Sequence, residues 1–266
     1  MSLSAHKLSV GYHGQTIVKE MNLTLPDGKF IALLGPNGCG KSTLLKCFAR
    51  ILPAMSGEAR WQGKNLHHYP SKQLSKELAL LPQTQPIPEG IKVKDLVAYG
   101  RSPYTGFWGK LNQQDHQVVE QMMQQTGTFE LKEKLVSELS GGQRQRVWLA
   151  MVLAQDTPYL LLDEPTTYMD INHQVELMHQ LQILNQQGKT IITVLHDINQ
   201  AARYCDHLVV MKSGELKYQG SPEEVLTSAM LQNVFSLQAQ IHRDPVSNTP
   251  MCVVEDRSPP SPQHKD

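Results

Sequence analysis

The sequence predicts an α/β fold with a mostly parallel β-sheet core, an N-terminal antiparallel β subdomain and an inserted helical subdomain. Short, bulky apolar segments at residues 30–34, 159–162 and 190–195 are typical of strands that are buried on both faces. Residues 3–30 instead contain short β segments separated by turns, which favour antiparallel pairing. Helical patterns follow between residues 84 and 150, so we expect a helical insertion before the later strands.

The glycine-rich loop after the first buried strand matches G-x-x-x-x-G-K-[ST], the phosphate-binding loop pattern. Glycine lets the backbone approach a phosphate closely, and the N–H groups of the loop and of the next helix then face the anion. Lys41 is expected to reach the β- and γ-phosphates, and the Ser42 hydroxyl to hold Mg²⁺. The loop indicates a P-loop NTPase core. Its candidate nucleotide contacts are Gly35, Pro36, Asn37, Gly38, Cys39, Gly40, Lys41, Ser42 and Thr43.

Polar side chains end the other two apolar segments. Asp163 and Glu164 follow the segment at residues 159–162, and His196 follows the segment at residues 190–195. Ligands bind at the carboxyl edge of an open parallel sheet, so we expect these residues near the phosphate loop. Asp163 is placed to hold Mg²⁺, Glu164 to polarise an attacking water, and His196 to contact the γ-phosphate. The alternatives are a solvated acidic turn and a structural histidine.

Residues 139–146, Leu-Ser-Gly-Gly-Gln-Arg-Gln-Arg, precede an apolar helix. Two glycines that open a helix offer bare N–H groups to an anion, and Ser140 is a good N-cap. As an isolated fragment, it would by default be an ordinary capped helix start. Tyr12 by itself could pack against the protein or offer its ring to a purine base. Gln83 by itself could be an ordinary polar residue in a loop.

Composition limits the classes of partner. The chain has 25 basic and 25 acidic residues, which gives no electrostatic basis for nucleic-acid or membrane-surface binding. No apolar run approaches the ~20 residues that cross a bilayer, and the first residues lack a signal core. Four scattered cysteines without C-x-x-C spacing favour reduced thiols in a cytoplasm.

Residues 100–109 form a glycine- and proline-containing loop with three aromatic residues, Tyr104, Phe107 and Trp108. One interpretation is a connection whose rings pack inward, and the other is a protein-binding knob. Near the end of the chain, the proline-rich residues 258–266 are expected to be disordered.

Taken together, these segments resemble the ATP-binding cassette (ABC) family. The resemblance covers residues 3–238 and implies a nucleotide-binding core at residues 3–83 and 151–238. It also implies that residues 84–150 form a helical subdomain that docks on an integral membrane permease, leaving residues 239–266 as a tail. The matching residues are 35–43, Gln83, 139–143, 160–164, Asp170 and His196.

The resemblance implies a role for each matched residue. Tyr12 matches the aromatic that stacks on adenine. Gln83 matches the glutamine that contacts Mg²⁺ or the attacking water and links to the permease. Glu164 matches the catalytic base and His196 the switch histidine. Together with Lys41, these make the predicted catalytic set Glu164, His196, Lys41 and Gln83, and the predicted metal set is Ser42, Gln83 and Asp163.

The remaining matches imply a dimer. Ser140, Gly141, Gly142 and Gln143 correspond to the signature that contacts the γ-phosphate of ATP held by a second copy. Asp170 corresponds to the aspartate of a loop that crosses between copies. Tyr168 and Met169 in that loop, and Cys39 in the phosphate loop, depart from the commoner choices. From Cys39 we expect that thiol alkylation blocks ATP binding and that MgATP protects.

Three further stretches, at residues 97–104, 195–204 and 220–225, resemble importers of ferric siderophores, and residues 239–252 resemble the ferric-citrate type. This implies an ATPase that powers import through a permease, indirectly served by a periplasmic binding protein, on the cytoplasmic face of the inner membrane. The alternatives are a haem or cobalamin importer, an exporter ATPase, or a soluble ABC protein acting on ribosomes or DNA. The balanced charge and single cassette disfavour the last.

Overall fold

A computed structural model describes residues 2–87, 89–106 and 109–255. The strands of these residues, in chain order, are β1 (Leu3–Tyr12), β2 (Gln15–Leu25), β3 (Phe30–Leu34), β4 (Ser56–Trp61), β5 (Lys64–Asn65), β6 (Leu78–Leu81), β7 (Tyr159–Asp163), β8 (Thr190–Val194), β9 (His207–Lys212), β10 (Glu215–Gly220), β11 (Ala239–Arg243) and β12 (Pro250–Val254).

The helices are mostly short. In chain order they are α1 (Lys41–Phe48), α2 (Ser71–Glu77), α3 (Val93–Ala98), α4 (Gln113–Gln125), α5 (Gly141–Ala154), α6 (Ile171–Gln186), α7 (Ile198–Tyr204), α8 (Pro222–Val225) and α9 (Ser228–Phe235). Single 3₁₀ turns add Leu66–His68, Tyr99–Arg101, Phe129–Leu131 and Val136–Glu138.

The central sheet carries the candidate site. Its order is β10-β9-β3-β8-β7-β6, and all neighbours are parallel except β10, which is antiparallel to β9. The carboxyl ends of β3, β7 and β8 therefore lie side by side, with Asp163 opposite Val194 in register. The predicted α/β class with a mostly parallel sheet is confirmed.

The N-terminal strands form a separate antiparallel sheet in the order β2-β1-β4-β5. The turn between β1 and β2 needs left-handed backbone at His13 (φ 49°) and Gly14 (φ 82°). This sheet faces the central sheet across an apolar core that also receives α1. The two strands are longer than the short segments that the sequence suggested, because register shifts in β1 interrupt its alternation.

The alternation of side chains along β3 explains why the strand is apolar throughout. Phe30, Ala32 and Leu34 belong to the core on the side of α5, α6 and α7, and Ile31 and Leu33 belong to the core shared with the N-terminal sheet. Both faces of the strand are thus buried, as its unbroken apolar pattern predicts.

The helical part of the chain has an apolar core of its own, built by α3, α4 and α5. A buried ion pair, Arg101 Nε to Asp115 Oδ1 at 2.9 Å, lies beside it. Arg101 also donates to the carbonyl oxygen of Ala154, the last residue of α5, at 2.9 Å. Helix α5 runs without interruption from this helical part to the central sheet.

Residues 239–254 form an antiparallel hairpin of β11 and β12, which the sequence did not predict. The hairpin contributes Ala239 and Cys252 to the core that contains α7 and α9. The expected disorder of residues 258–266, and the aromatic residues Phe107 and Trp108, lie outside the described residues. Over the described ranges, no helix is long and apolar enough to span a bilayer.

Candidate functional site

A cavity of about 430 Å³ opens at the carboxyl edge of the central sheet. The phosphate loop forms its floor, and residues from the first hairpin and from the ends of β6, β7 and β8 form its walls. The lining residues are Tyr12, Ile17, Asn37, Gly38, Gly40, Lys41, Ser42, Thr43, Gln83, Glu164 and His196.

Glycine is required in the loop for two different reasons. A Cβ on Gly35 would lie 2.2 Å from the carbonyl oxygen of Met211, so the close approach of β9 excludes any side chain. Gly38 and Gly40 have φ of 75° and 105°, in the left-handed region that other residues rarely adopt. The Gly214 N–H donates to the Cys39 carbonyl at 3.1 Å, so the turn between β9 and β10 supports the loop.

The Lys41 side chain is buried, with 5% of the residue exposed, and lies within the loop. Its ammonium donates to the carbonyl oxygens of Gly35 at 2.7 Å and Pro36 at 3.1 Å. Its described hydrogen-bond partners include no carboxylate, so its charge is available to an anion in the cavity.

The Cys39 thiol lies on the inner side of the loop. It is 3% exposed, and its Sγ is 3.8 Å from Lys41 Nζ. Burial raises the pKa of the thiol, and the nearby ammonium only partly opposes this effect. The four cysteines are all buried and free.

Ser42 and Asp163 meet below the loop, where the Ser42 hydroxyl donates to Asp163 Oδ1 at 2.7 Å. Asp163 is 1% exposed, and among the described residues its Oδ2 has no hydrogen-bond partner. Burial raises the pKa of this carboxyl, the Ser42 hydrogen bond opposes the rise, and the charge of Glu164 adds to it. A buried carboxylate with a free oxygen is chemically suited to a hard cation such as Mg²⁺.

Mg²⁺ usually takes one or two protein oxygens and completes its shell with water and substrate phosphates. In the described ranges no group of three or more His, Cys, Asp or Glu side chains could hold a metal by itself. The Ser42–Asp163 pair beside the cavity therefore fits a metal that is shared with a phosphate ligand.

Glu164 and His196 come together above the loop, with His196 Nε2 2.8 Å from Glu164 Oε1. The Glu164 side chain is 13% exposed and that of His196 is 49% exposed, so the pair lies at the mouth of the cavity. Glu164 has a φ of 55°, a strained value for a residue with a Cβ. Thr167 Oγ1 donates to its other oxygen at 3.3 Å.

The loop after β7 is held by a residue that sequence reasoning missed. Gln145, 4% exposed on α5, donates from Nε2 to the carbonyl oxygen of Pro165 at 3.2 Å. The loop ends at Asp170, whose side chain accepts from His173 N at 3.0 Å and caps α6. A mid-helix glutamine carries no pattern that would reveal this contact, which joins residues 20 positions apart.

The signature residues and Asp170 do not line the cavity formed by the described residues of the same chain. Ser140 caps α5 through a capping box, in which Gln143 N donates to Ser140 Oγ at 3.3 Å and Ser140 N to Gln143 Oε1 at 3.2 Å. Ser140 and Gly141 are exposed. A Cβ on Gly142 would lie 3.3 Å from the Tyr168 carbonyl oxygen.

Residues 18–167 match the model of the ABC transporter family. The matched range includes the phosphate loop, the signature and the acidic end of β7. The chain belongs to this family. The resemblance that the motifs indicated is thus confirmed, and the chain is an ABC ATPase: it binds nucleotide, and its ATPase activity is coupled to transport.

Relatives of this ABC ATPase match over almost the whole chain. It is 47% identical to an achromobactin transport ATP-binding protein of Dickeya dadantii, over 97% of both chains. It is 44% identical to an iron(3+)-hydroxamate import ATP-binding protein of Bacillus subtilis, over 96% of this chain and 95% of the relative.

A solved chain of an ABC transporter assigned to the metal-chelate type, in an inward-facing conformation, superposes with a TM-score of 0.81. It is 28% identical and the match covers 96% of this chain and 98% of the other. The P-loop ATPase fold predicted from the sequence is therefore found in a solved relative.

Proposed function

We propose that this ABC ATPase powers the import of ferric siderophores, by hydrolysing ATP between two copies of the chain on a membrane permease. The observation that carries the hydrolytic part is the convergence of the phosphate loop, Glu164 and His196 on one cavity, with Asp163 hydrogen-bonded to the cavity-lining Ser42. The phosphate loop after β3, the acidic pair at the end of β7 and the histidine after β8 come from three neighbouring strands to one edge of the sheet.

The phosphate loop holds the triphosphate. Loop N–H groups and the N-terminus of α1 face the phosphates, and the Lys41 ammonium moves from its loop carbonyls to the β- and γ-phosphate oxygens. Tyr12, 40% exposed at the cavity mouth, offers its ring to the adenine.

Ser42, Asp163 and Gln83 are the proposed metal-binding residues. Their support is the 2.7 Å Ser42–Asp163 hydrogen bond, the unpartnered Asp163 Oδ2 and the position of Gln83 on the cavity wall. Bound Mg²⁺ supplies charge neutralisation to the β- and γ-phosphate oxygens.

Glu164 orients and deprotonates the attacking water, and His196 contacts the γ-phosphate. The 2.8 Å pair fixes the carboxylate and the imidazole relative to each other before substrate binds. Most of the rate enhancement of phosphoryl transfer comes from positioning and charge stabilisation, which Lys41 and His196 provide here.

A second copy completes the site. Ser140, Gly141, Gly142 and Gln143 are exposed or partly exposed but lie outside the cavity of their own chain, so we propose that they contact the γ-phosphate bound by the partner copy. Asp170 lies on the loop that crosses between the copies. ATP binding then closes the dimer and hydrolysis opens it.

The cargo and the membrane partner are inferred from the relatives. One named relative is an achromobactin transport ATP-binding protein and the other an iron(3+)-hydroxamate import ATP-binding protein, and the chain matches them over at least 96% of its length. We propose that this ATPase lies on the cytoplasmic face of the membrane, bound to a permease that a periplasmic binding protein supplies.

The test is reconstitution of the chain in vesicles with a candidate siderophore permease and its periplasmic binding protein. ATP hydrolysis is expected to rise when the binding protein carries a ferric siderophore, ferric citrate being the first to try. Stimulation by haem or cobalamin, but not by ferric siderophores, would assign the cargo to those systems. Co-purification with ribosomes in place of a permease would overturn the transport role.

A further inference from the structure

The C-terminal hairpin is joined to the start of α7 by one side chain. Asn199 donates from Nδ2 to the carbonyl oxygen of Cys252 at 3.0 Å, and its Oδ1 accepts from the N–H of Cys252 at 2.7 Å. The amide thus satisfies both backbone groups of one β12 residue, as a neighbouring strand would.

The strand register explains why the backbone N–H and C=O of Cys252 are available to Asn199. Cys252 lies opposite Ile241 in an antiparallel ribbon whose outer edge has no further strand among the described residues. Unpaired edge groups near an apolar core are costly, and Cys252 is itself buried. The Asn199 side chain covers this edge where the hairpin meets α7.

The same first turn of α7 follows His196 directly. Only Asp197 separates His196 from the helix, and Asp197 Oδ1 accepts from the N–H of Asn199 at 2.8 Å and of Gln200 at 3.0 Å. The His196 side chain is 49% exposed, and its imidazole contacts the Glu164 carboxylate. The position of the imidazole therefore depends on the turn that carries it.

We propose that Asn199 is a positioning residue for hydrolysis, which uses the C-terminal hairpin as a fixed support for the turn that carries His196. Hydrogen bonds run from the core-packed Cys252 through Asn199 to Asp197, the residue that follows His196 in the chain. If Asn199 positions His196 in this way, residues 239–254 contribute to the rate of the chemical step although they lie far from the phosphate loop in sequence.

A purely structural role makes a different prediction. If Asn199 only covers a strand edge, its removal lowers stability and leaves the turnover of the folded protein unchanged. If it positions His196, its removal lowers kcat in the folded protein, because a displacement of about 1 Å is costly in a positioned site.

The experiment compares Asn199→Ala with Arg203→Ala in purified full-length protein. Arg203 lies at the other end of α7, and its Nη1 is 4.0 Å from Oδ2 of Asp244 in the hairpin turn. Arg203→Ala therefore weakens the attachment of the hairpin to α7 at a point away from His196. Asn199→Ala is expected to lower kcat for ATP about tenfold and to change the ATP dissociation constant by less than about twofold. Arg203→Ala is expected to keep the wild-type kcat. Asn199→Asp, which still accepts from the Cys252 N–H, should fall between wild type and Asn199→Ala.

Because this role depends on the proposed part of His196 in hydrolysis, the series includes His196→Ala and the double variant. His196→Ala should lose most activity, and adding Asn199→Ala should then change nothing, since the two residues act as one unit. Wild-type turnover in His196→Ala would refute the proposed role of the histidine itself. A normal kcat in Asn199→Ala, or a full further loss in the double variant, would overturn the positioning role alone.

Discussion

His196 Nε2 lies 2.8 Å from Glu164 Oε1, which joins the residues that follow two adjacent parallel strands. The contact gives the carboxylate a fixed direction at the cavity mouth. Glu164→Gln keeps the shape and a hydrogen-bonding oxygen for His196 but cannot accept the proton of water. We expect hydrolysis to fall by roughly 10²–10⁴-fold while ATP binding persists.

The same variant should accumulate as an ATP-bound dimer, because opening follows hydrolysis. Size-exclusion chromatography with MgATP measures this directly, and Glu176→Gln, an exposed carboxylate on α6, is the matched control. A Glu164→Gln preparation that hydrolyses ATP at the wild-type rate would exclude Glu164 as the base.

Asp163 is expected to show a conflict between function and stability. Burial raises the pKa of its carboxyl, so the folded protein bears a cost for the charged form that a neutral amide avoids. Asp163→Asn should therefore raise the melting temperature in Mg²⁺-free buffer, by an amount equivalent to about 1 kcal/mol, and abolish Mg²⁺-dependent hydrolysis. Thermal unfolding with and without Mg²⁺ tests both parts. A variant that is destabilised without metal, or that retains Mg²⁺-dependent turnover, contradicts the assignment.

The shared site can be tested by mixing two inactive chains. Ser140→Arg damages the signature and Lys41→Ala the phosphate loop, so only the mixed dimer combines an intact loop with an intact signature. If the sites act independently, an equimolar mixture should recover about a quarter of the wild-type rate in a symmetric two-site dimer.

Ser140 is also the N-cap of α5, so loss of the cap needs its own control. Thr227 caps α9 in the same way, with Met230 N donating to Thr227 Oγ1 at 3.1 Å, and Thr227→Ala should stay active. A mixture no more active than its separate components would argue that each chain completes its site alone.

The sequence predicted the parts of the site that depend on local pattern. The phosphate loop and the polar ends of β7 and β8 are each adjacent in sequence to an apolar strand, and parallel pairing brings them to one edge. The 2.8 Å contact between His196 and Glu164 was not predicted, because it depends on β7 and β8 being neighbours in the sheet.

Contacts between distant segments could not be predicted in this way. Gln145 and Asn199 lie among other polar residues in helices, and their partners, Pro165 and Cys252, lie 20 and 53 positions away. Every residue has a backbone carbonyl that can accept a hydrogen bond, so the sequence does not indicate which carbonyl a given side chain contacts. The hairpin at residues 239–254 was missed for a related reason, because its alternation is weak and one edge is completed by a side chain.

The burial of the Cys39 thiol changes the alkylation result that the sequence predicted. The thiol is 3% exposed and burial raises its pKa, so little thiolate is present at neutral pH and the reaction should be slow. The rate should increase as the pH approaches the raised pKa. Once formed, the adduct should block ATP binding, because the loop has no room beside Lys41 and Gly35.

Mass spectrometry of the labelled peptide, with and without MgATP, measures the reaction and the protection. Cys39→Ala treated with the same reagent is the control, and it should keep its ATP affinity. Full ATP binding by protein alkylated at Cys39 would refute a role for this position in the site.

The buried Arg101–Asp115 ion pair should make the helical part sensitive to the loss of either partner alone. Both side chains are buried, and Arg101 Nε donates to Asp115 Oδ1 at 2.9 Å. Burial alone would raise the pKa of Asp115, but the Asn112 N–H and the Arg101 guanidinium outweigh it and hold the pKa below its usual value. This stabilisation is therefore present above the unfolded pKa of aspartate and is lost as the pH falls through the lowered folded pKa.

Arg101→Met leaves the carboxylate buried without its cation and should cost about 3 kcal/mol at neutral pH. The pKa of Asp115 then rises, so the difference from wild type should shrink as the pH is lowered. The double variant Arg101→Met/Asp115→Asn should recover much of the loss, since the neutral amide is cheaper to bury. Lys92→Met, which removes a solvent-exposed partner of Glu133, should change stability little. Urea denaturation between acid and neutral pH measures all four proteins, and an Arg101→Met deficit that grows towards acid pH would show that the ion pair does not control Asp115.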